Sequence, residues 1–375
     1  GLMNAMLSRV RAQTSGGATA LALFVAFASV FFLAIGSNPL AMLAEIARSA
    51  WGDSYALGET LLRATPILLC ALATIVPARA GLISVGAEGQ LYFGALAGTG
   101  LLLASGAPAS AWMLPAVLLA GAIGGALWAL TPALLRVGAN ANETISTLLL
   151  NYVAALLVTW LVYGPWKNPQ SQGWPASIEF PMEARLPLLW ESRAHAGLLI
   201  ALVLAVVLHV LLTRSRCGLE LDLMRSNPRA ALLAGFGQRR RIVLALLAGG
   251  LLAGLAGIAE TAAVQGRLQA DLSNGAGLSG FLVAWLARNH ALRAIAWALV
   301  VGGLLAAGDG LIRSPVSASP GGIAGAAQTA ALGPAIGQAY GLGAAYDLGG
   351  GASVVGGVAN VSDETVWEAG FSFSF

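Results

Sequence analysis

Few residues in this chain of 375 could take part in chemistry, and those few are grouped. The first group is Ser84-Val85-Gly86-Ala87-Glu88-Gly89-Gln90, just ahead of an apolar run. A carboxylate there either meets a polar solute or caps a helix N-terminus, where the helix dipole favours negative charge. The capping role is the favoured reading. The second group is Asn142-Glu143-Thr144, leading into Thr147 and Asn151. Asn142 reads as an N-cap with an acid in the first turn behind it. Glu143, Thr147 and Asn151 recur every fourth residue and so share one helix face. Such a stripe lines a cavity or bonds a neighbouring helix, and Asn151, deepest in the span, is the better cavity residue. Glu88, Gln90, Asn142, Thr147 and Asn151 are therefore the expected solute-contacting residues.

The third group lies in residues 218–235. Asn227 suits an N-cap, Pro228 the first helical position and Gly235 a stop. The pattern predicts a short helix flanked by Arg225 and Arg229. A basic loop held by anionic lipid needs no caps, so this helix reads as a docking element for a partner. The fourth group runs from Glu260 through Gln265, Arg267, Gln269, Asp271 and Asn274 to the glycine-rich run 275–280. It is an external loop or, with residues 81–90, the second of two broken segments such as surround a midplane binding site.

Several chemistries find no support. His195, His209 and His290 lack metal-ligand spacing. Gly275-Ala276-Gly277-Leu278-Ser279-Gly280 matches G-x-G-x-x-G, but no strand–helix unit surrounds it, and a softened break between spans is the expectation. Phe281 stands where a nucleophile elbow needs its second glycine. The single lysine, Lys167, follows Trp166 rather than a phosphate-binding glycine loop. ATP hydrolysis by that route is excluded, so no catalytic residue or cofactor is called for, and any ATP use belongs to a partner. Cys70 and Cys217 imply no disulfide framework.

The elements that must position these groups are membrane helices. Hydrophobic residues make up 57% and charged residues 10%, against roughly 45–50% and about 25% in soluble proteins. Mean hydropathy is +0.77. A net charge of +3 is too small to point to nucleic acid. A spanning helix needs about 20 mostly apolar residues. That length predicts nine spans, at 18–36, 56–76, 90–105, 111–131, 145–163, 195–212, 242–262, 272–287 and 292–308. Cytoplasmic loops carry the excess of arginine. Loop 213–241 holds seven: Arg214, Arg216, Arg225, Arg229, Arg239, Arg240 and Arg241. It falls inside if the N-terminus, near Arg9 and Arg11, is cytoplasmic. Loop 164–194 then lies outside, with Trp166, Trp174 and Trp190 suited to an interface belt. Two pairs of glycines four apart, Gly121 with Gly125 and Gly250 with Gly254, mark close helix crossings or chance in a glycine-rich chain.

Taken together, four stretches resemble the permease subunits of bacterial ABC importers for branched-chain amino acids, ribose-type sugars and nucleosides. They are residues 81–90, 142–152, 225–231 and 277–289, within a resemblance running from about 50 to 313. The second stretch is most similar to the nucleoside and simple-sugar branch. The resemblance implies an inner-membrane pathway subunit and, for 225–235, a coupling helix seated on an ATPase. It also implies three partners: cytosolic ATP-binding subunits, a second permease subunit and an extracytoplasmic solute-binding protein. This chain departs from the family at Ser84, where asparagine is common. The competing reading is an ion-coupled secondary transporter using Glu88, Glu143 or Glu260 as its proton relay.

The resemblance stops near Arg313. Residues 314–375 contain no lysine or arginine. Strand-like alternation marks 352–361 and the run Trp367, Ala369, Phe371, Phe373, Phe375, which resembles the closing hairpin of a bacterial outer-membrane porin. The expected fold is thus an all-α polytopic membrane protein with about nine transmembrane helices and broken or re-entrant segments, plus a short β-hairpin-like C-terminal tail. Two regions follow. Residues 1–313 form a permease domain cut short at its C-terminal end. Residues 314–375 form a Gly/Ala-rich linker and porin-like tail, read as a fusion or frameshift product, with a genuine extracytoplasmic extension as the competing reading.

Overall fold

The computed structural model describes residues 25–34, 38–171, 175–189, 192–313, 340–349, 352–361 and 364–373. In chain order the helices are α1 (Val25–Ala34), α2 (Pro39–Trp51), α3 (Ser54–Arg79), α4 (Ala87–Ala104), α5 (Met113–Ala139) and α6 (Glu143–Tyr163). They continue with α7 (Gly197–Arg214), α8 (Arg216–Ser226), α9 (Pro228–Leu233), α10 (Gln238–Glu260), α11 (Ala276–Leu286) and α12 (Ala291–Arg313). Contacts divide the chain into one compact unit of residues 50–306 and a second formed by 1–49 with 307–375.

Six of the nine expected spans are helices long and apolar enough to cross a bilayer: α3, α5, α6, α7, α10 with the π turn Thr261–Gln265, and α12. The other three differ. The expectation at 90–105 meets α4, whose 18 residues carry Glu88 and Gln90 in the first turn. That at 272–287 meets α11, which has 11 residues and is too short to cross alone. That at 18–36 falls partly outside the described residues. Its described part, α1, bends by 117° into α2, and the pair together has the length and composition of one broken span.

Within the unit of 50–306, α10 packs against α3, α4 and α5, and α11 lies on α3. Burial separates inner from outer helices. The most apolar window of α3 is 78% buried, against 28% for α6 and for α7, so α3 is interior and the other two present leucine and valine outward. Asp53 starts α3, its Oδ1 accepting the Ala56 N–H at 2.7 Å. Two prolines, Pro66 and Pro77, lie inside this helix. Each removes one backbone donor and frees the carbonyl four residues before it. For Pro77 that carbonyl is Ala73, and the backbone of α10 at Gly249 lies directly over it.

The glycine pairs interlock. A methyl on Gly125 would fall on the Gly250 carbonyl oxygen, and one on Gly254 would fall on that of Gly121. Gly94 of α4 meets the same Gly254 backbone. Three helices therefore touch main chain to main chain, the small-residue packing that suits a bilayer, where apolar burial between helices gains nothing over lipid contact.

The 164–194 loop folds back rather than spreading. The Ser177 N–H donates to Leu268 O at 3.0 Å, Phe180 N–H to Gly266 O at 2.7 Å and Leu186 N–H to Ala262 O at 3.2 Å. Trp166 is half-buried and packs on the core beside Gly100. Trp174 and Trp190 lie outside the described residues.

In the tail, β1 (Tyr340–Gly349), β2 (Ala352–Val361) and β3 (Glu364–Phe373) form an antiparallel meander in the order β1-β2-β3. Asn360 pairs with Thr365, and Ala352 with Phe373. Alternation in the sequence predicts two strands. The third, β1, is hidden because Gly341, Gly343 and Gly349 blur its two-residue period.

Candidate functional site

The polar groups converge on the non-helical segment between α3 and α4. Residues 82–86 form neither helix nor strand and lie beside α6, leaving backbone donors and acceptors that membrane depth would not forgive. The stripe on α6 satisfies them. Glu143 Oε1 accepts the Ile83 N–H at 3.3 Å, and Thr144 Oγ1 donates to Ile83 O at 2.8 Å. Thr147 Oγ1 accepts the Val85 N–H at 3.2 Å. The Asn151 amide does both jobs: Nδ2 donates to Val85 O at 2.9 Å, and Oδ1 accepts the Gly89 N–H at 2.9 Å. Thr147 and Asn151 are buried by these contacts. Arg136, on the last turn of α5, holds Glu143 in place through Nε to Oε2 at 3.2 Å.

Asn142 caps α6, its Oδ1 accepting the Thr144 N–H at 2.9 Å. It is exposed and stands apart from the buried group. Gln90 is buried next to Gly86, which also touches Thr147.

Glu88 sits in the first turn of α4 but serves another helix. Its Oε2 accepts the N–H groups of Gly277 at 2.8 Å and Leu278 at 3.2 Å, and Ser273 Oγ donates to its Oε1. It therefore caps α11, a position where the dipole adds to the charge-assisted bonds. Gly277 is required for this approach, because a methyl there would overlap the Glu88 backbone. The two broken segments, 81–90 and 272–280, thus meet through one carboxylate. Neither Ser273 nor Gly277 could be paired with Glu88 from the sequence; the glycine run at 275–280 was the signal available.

At the arginine-rich end, Ser215 Oγ accepts the Gly218 N–H at 3.4 Å to start α8. Asn227 Oδ1 accepts the Ala230 N–H at 3.0 Å to start α9, Pro228 takes the first helical position, and Gly235 follows at φ +77°. Arg225, Asn227, Pro228 and Arg229 are exposed, and Leu233 is 91% exposed. Near the end of α3, two contacts tie this element to the core. Arg79 Nη2, at the end of α3, donates to Asp222 Oδ2 at 2.9 Å and to Leu212 O at 3.1 Å. Gly81 lies against Arg225. Burial first, then Arg293, His209 and Arg79, hold His290 below the usual histidine range, as expected where positive charge gathers. Among the described residues, no three of His, Cys, Asp and Glu gather as a metal ion would need.

A family model described as the permease component of the branched-chain amino acid transport system matches residues 56–320. The chain belongs to this family. Among the permease's relatives, a glucose ABC transporter permease protein of Haloferax volcanii is 37% identical over 280 residues, covering 72% of this chain and 73% of the relative. A guanosine ABC transporter permease protein of Bacillus subtilis is 30% identical over 295 residues, covering 76% and 82%. A nucleoside ABC transporter permease protein of Lactococcus lactis is 28% identical over 238 residues, covering 61% and 65%. No solved structure matches the permease. The matched stretch contains both broken segments, the α6 ladder and the α8–α9 element.

Proposed function

We propose that this chain forms the membrane pathway of an ATP-driven importer whose cargo is a simple sugar or a nucleoside. The observation that carries the reading is the family match over 56–320, with relatives named for glucose and guanosine transport. Such a permease works with ATP-binding subunits and a solute-binding protein, and a second permease subunit, identical or related, completes the pathway. ATP hydrolysis falls on the partner chains. The seven arginines of 213–241 put that loop and the N-terminus on the cytoplasmic face of the inner membrane. The full membrane architecture is nine spans, with α4 and α11 as the shortened members, joined to each other through Glu88.

The roles divide as follows. Glu88, Gln90, Thr147 and Asn151 hold residues 82–90 as a wall of the pathway, and Asn142 fixes the start of α6. Arg225, Asn227, Pro228, Arg229 and Gly235 belong to the element that sits on an ATPase. Motion of that element reaches the wall through Asp222–Arg79 and through the contact of Arg225 with Gly81. The ion-coupled alternative loses ground at Glu88 and Glu143, which are committed to backbone and arginine partners, and rests on Glu260 alone. The family match ends at residue 320, and a junction between two coding sequences near that point accounts for the tail that follows.

The test is uptake of radiolabelled glucose and guanosine by cells carrying the full transporter. Asn227→Pro and Arg229→Glu should abolish ATP-dependent uptake at unchanged membrane abundance. Normal uptake in both variants would overturn the coupling role, and uptake that persists without any ATPase subunit would overturn the importer reading itself.

A further inference from the structure

Away from the polar ladder, α7, α8 and α10 enclose an apolar cavity of about 360 Å³. Leu208 and Leu212 of α7, Leu221 of α8, and Ala248 and Leu252 of α10 line it. Arg241 is its charged lining residue, and the guanidinium is already paired with Glu220. On the outer side, the lining residues Leu211, Leu244 and Leu251 are 41%, 44% and 43% exposed, so the cavity opens sideways between two membrane helices. A polar solute would find no partners there. Water is a poor occupant of an apolar cavity, and an empty one forfeits dispersion contacts along its whole lining. The occupant should be a long apolar chain.

Charge says which kind. Arg214 lies two residues beyond the lining residue Leu212, Arg216 one residue before the lining residue Cys217, and Arg240 beside Arg241. Arg214, Arg216 and Arg240 are exposed. An apolar slot between membrane helices with arginines at its cytoplasmic mouth matches a lipid whose headgroup is anionic, and guanidinium suits phosphate. We infer that this cavity binds an acyl chain of an anionic phospholipid from the cytoplasmic leaflet, with the phosphate held among Arg214, Arg216 and Arg240. The inference rests on the orientation set by the arginine-rich loop. Because α8 forms one wall and also carries Asp222, the ion-pair partner of Arg79, a bound lipid braces α8 against α7 and α10.

The experiment uses the full chain in phosphatidylcholine nanodiscs. These are doped with phosphatidylglycerol or phosphatidylcholine carrying a photoactivatable group on one acyl chain. After illumination, peptides from 208–221 and 244–252 are read by mass spectrometry. The phosphatidylglycerol probe should label them about fivefold more than the phosphatidylcholine probe, with Arg214→Gln/Arg216→Gln abolishing most of the difference. Ala248→Phe, which fills the cavity from an exposed position, should cut labelling by a similar factor. The lipid-facing surface of α6 around Leu149 and Leu156 should label equally in every case. Equal labelling by both probes would overturn the inference. So would undiminished labelling in Ala248→Phe, or cross-links between two copies at these peptides. Should Ala248→Phe fail to fold, the exposed arginine pair decides alone.

Discussion

The crossing of α4, α5 and α10 and the junction of α6 with residues 82–89 both bring main chain against other elements, by opposite means. At the crossing, Gly94, Gly121, Gly125, Gly250 and Gly254 bring backbone against backbone, with Ile258 and Ala129 filling in beside them, and the helices lock by shape. At the junction, Glu143, Thr144, Thr147 and Asn151 reach out to replace hydrogen bonds that a broken backbone has lost. Shape contact offers one arrangement and tolerates nothing larger. A ladder of hydrogen bonds can exchange partners one at a time. The difference gives rigidity to the first region and adjustability to the second, as the proposed role of residues 82–90 in the pathway would require.

The sharpest way to break the comparison is at the crossing. Gly125→Ala or Gly254→Ala should cost about 3 kcal/mol or more, since backbone rather than a flexible side chain is in the way. The expected readout is loss of the monodisperse peak in detergent chromatography. A stable Gly254→Ala protein would mean the helices can part, contrary to the rigid reading. Next in size is Glu88→Ala, which strands the Gly277 and Leu278 donors and the Ser273 hydroxyl. With charge-assisted bonds at about 1.5–3 kcal/mol each, the melting temperature in detergent should fall clearly, with Glu88→Gln intermediate.

Within the ladder, Asn151→Ala should cost about 1–3 kcal/mol for two backbone groups left without their partner, and Thr147→Val about 1 kcal/mol for one. A double-mutant cycle on thermal stability should show coupling, because both side chains bond Val85. Strict additivity would argue that the ladder is a set of independent contacts. The smallest expected effect is the control. Gly138→Ala lies on the same helix as Gly125 with open space around it, so helix propensity alone should act, stabilising by about 0.5–1 kcal/mol. The same substitution thirteen residues apart on α5 then changes sign.

Local features of this fold were legible in the sequence. Asn142 and Asn227 each act as the cap their spacing predicts, because a cap bonds within its own first turn. The glycine pairs could be seen, although not which helix each would meet. Glu88 could be read as a helix cap, but the helix it caps begins 188 residues later, at Ala276, and no periodicity links the two. The Glu143–Thr147–Asn151 stripe left cavity and contact open, and the structure shows each side chain in contact with backbone. The Arg79–Asp222 pair, 143 residues apart, was invisible for the same reason, and Arg136 meets Glu143 across the turn between α5 and α6, where no helical spacing marks it. The expectation at 90–105 meets a helix of 18 residues, whereas that at 272–287 runs past both ends of the 11-residue α11, because apolar residues flanking a break look continuous with the helix after it.

The two prolines of α3 carry a mechanical consequence. Where Pro77 leaves the Ala73 carbonyl without its helical donor, α3 can flex without rupturing an internal bond, because none is present to rupture. The backbone of α10 at Gly249 bears on that same carbonyl and acts as a fulcrum. Arg79 lies two residues past Pro77, beyond this pivot, whereas the length of α3 before it is buried. A pull on Arg79 would therefore bend the chain at the break and move the residues that follow, leaving the buried length of α3 in place.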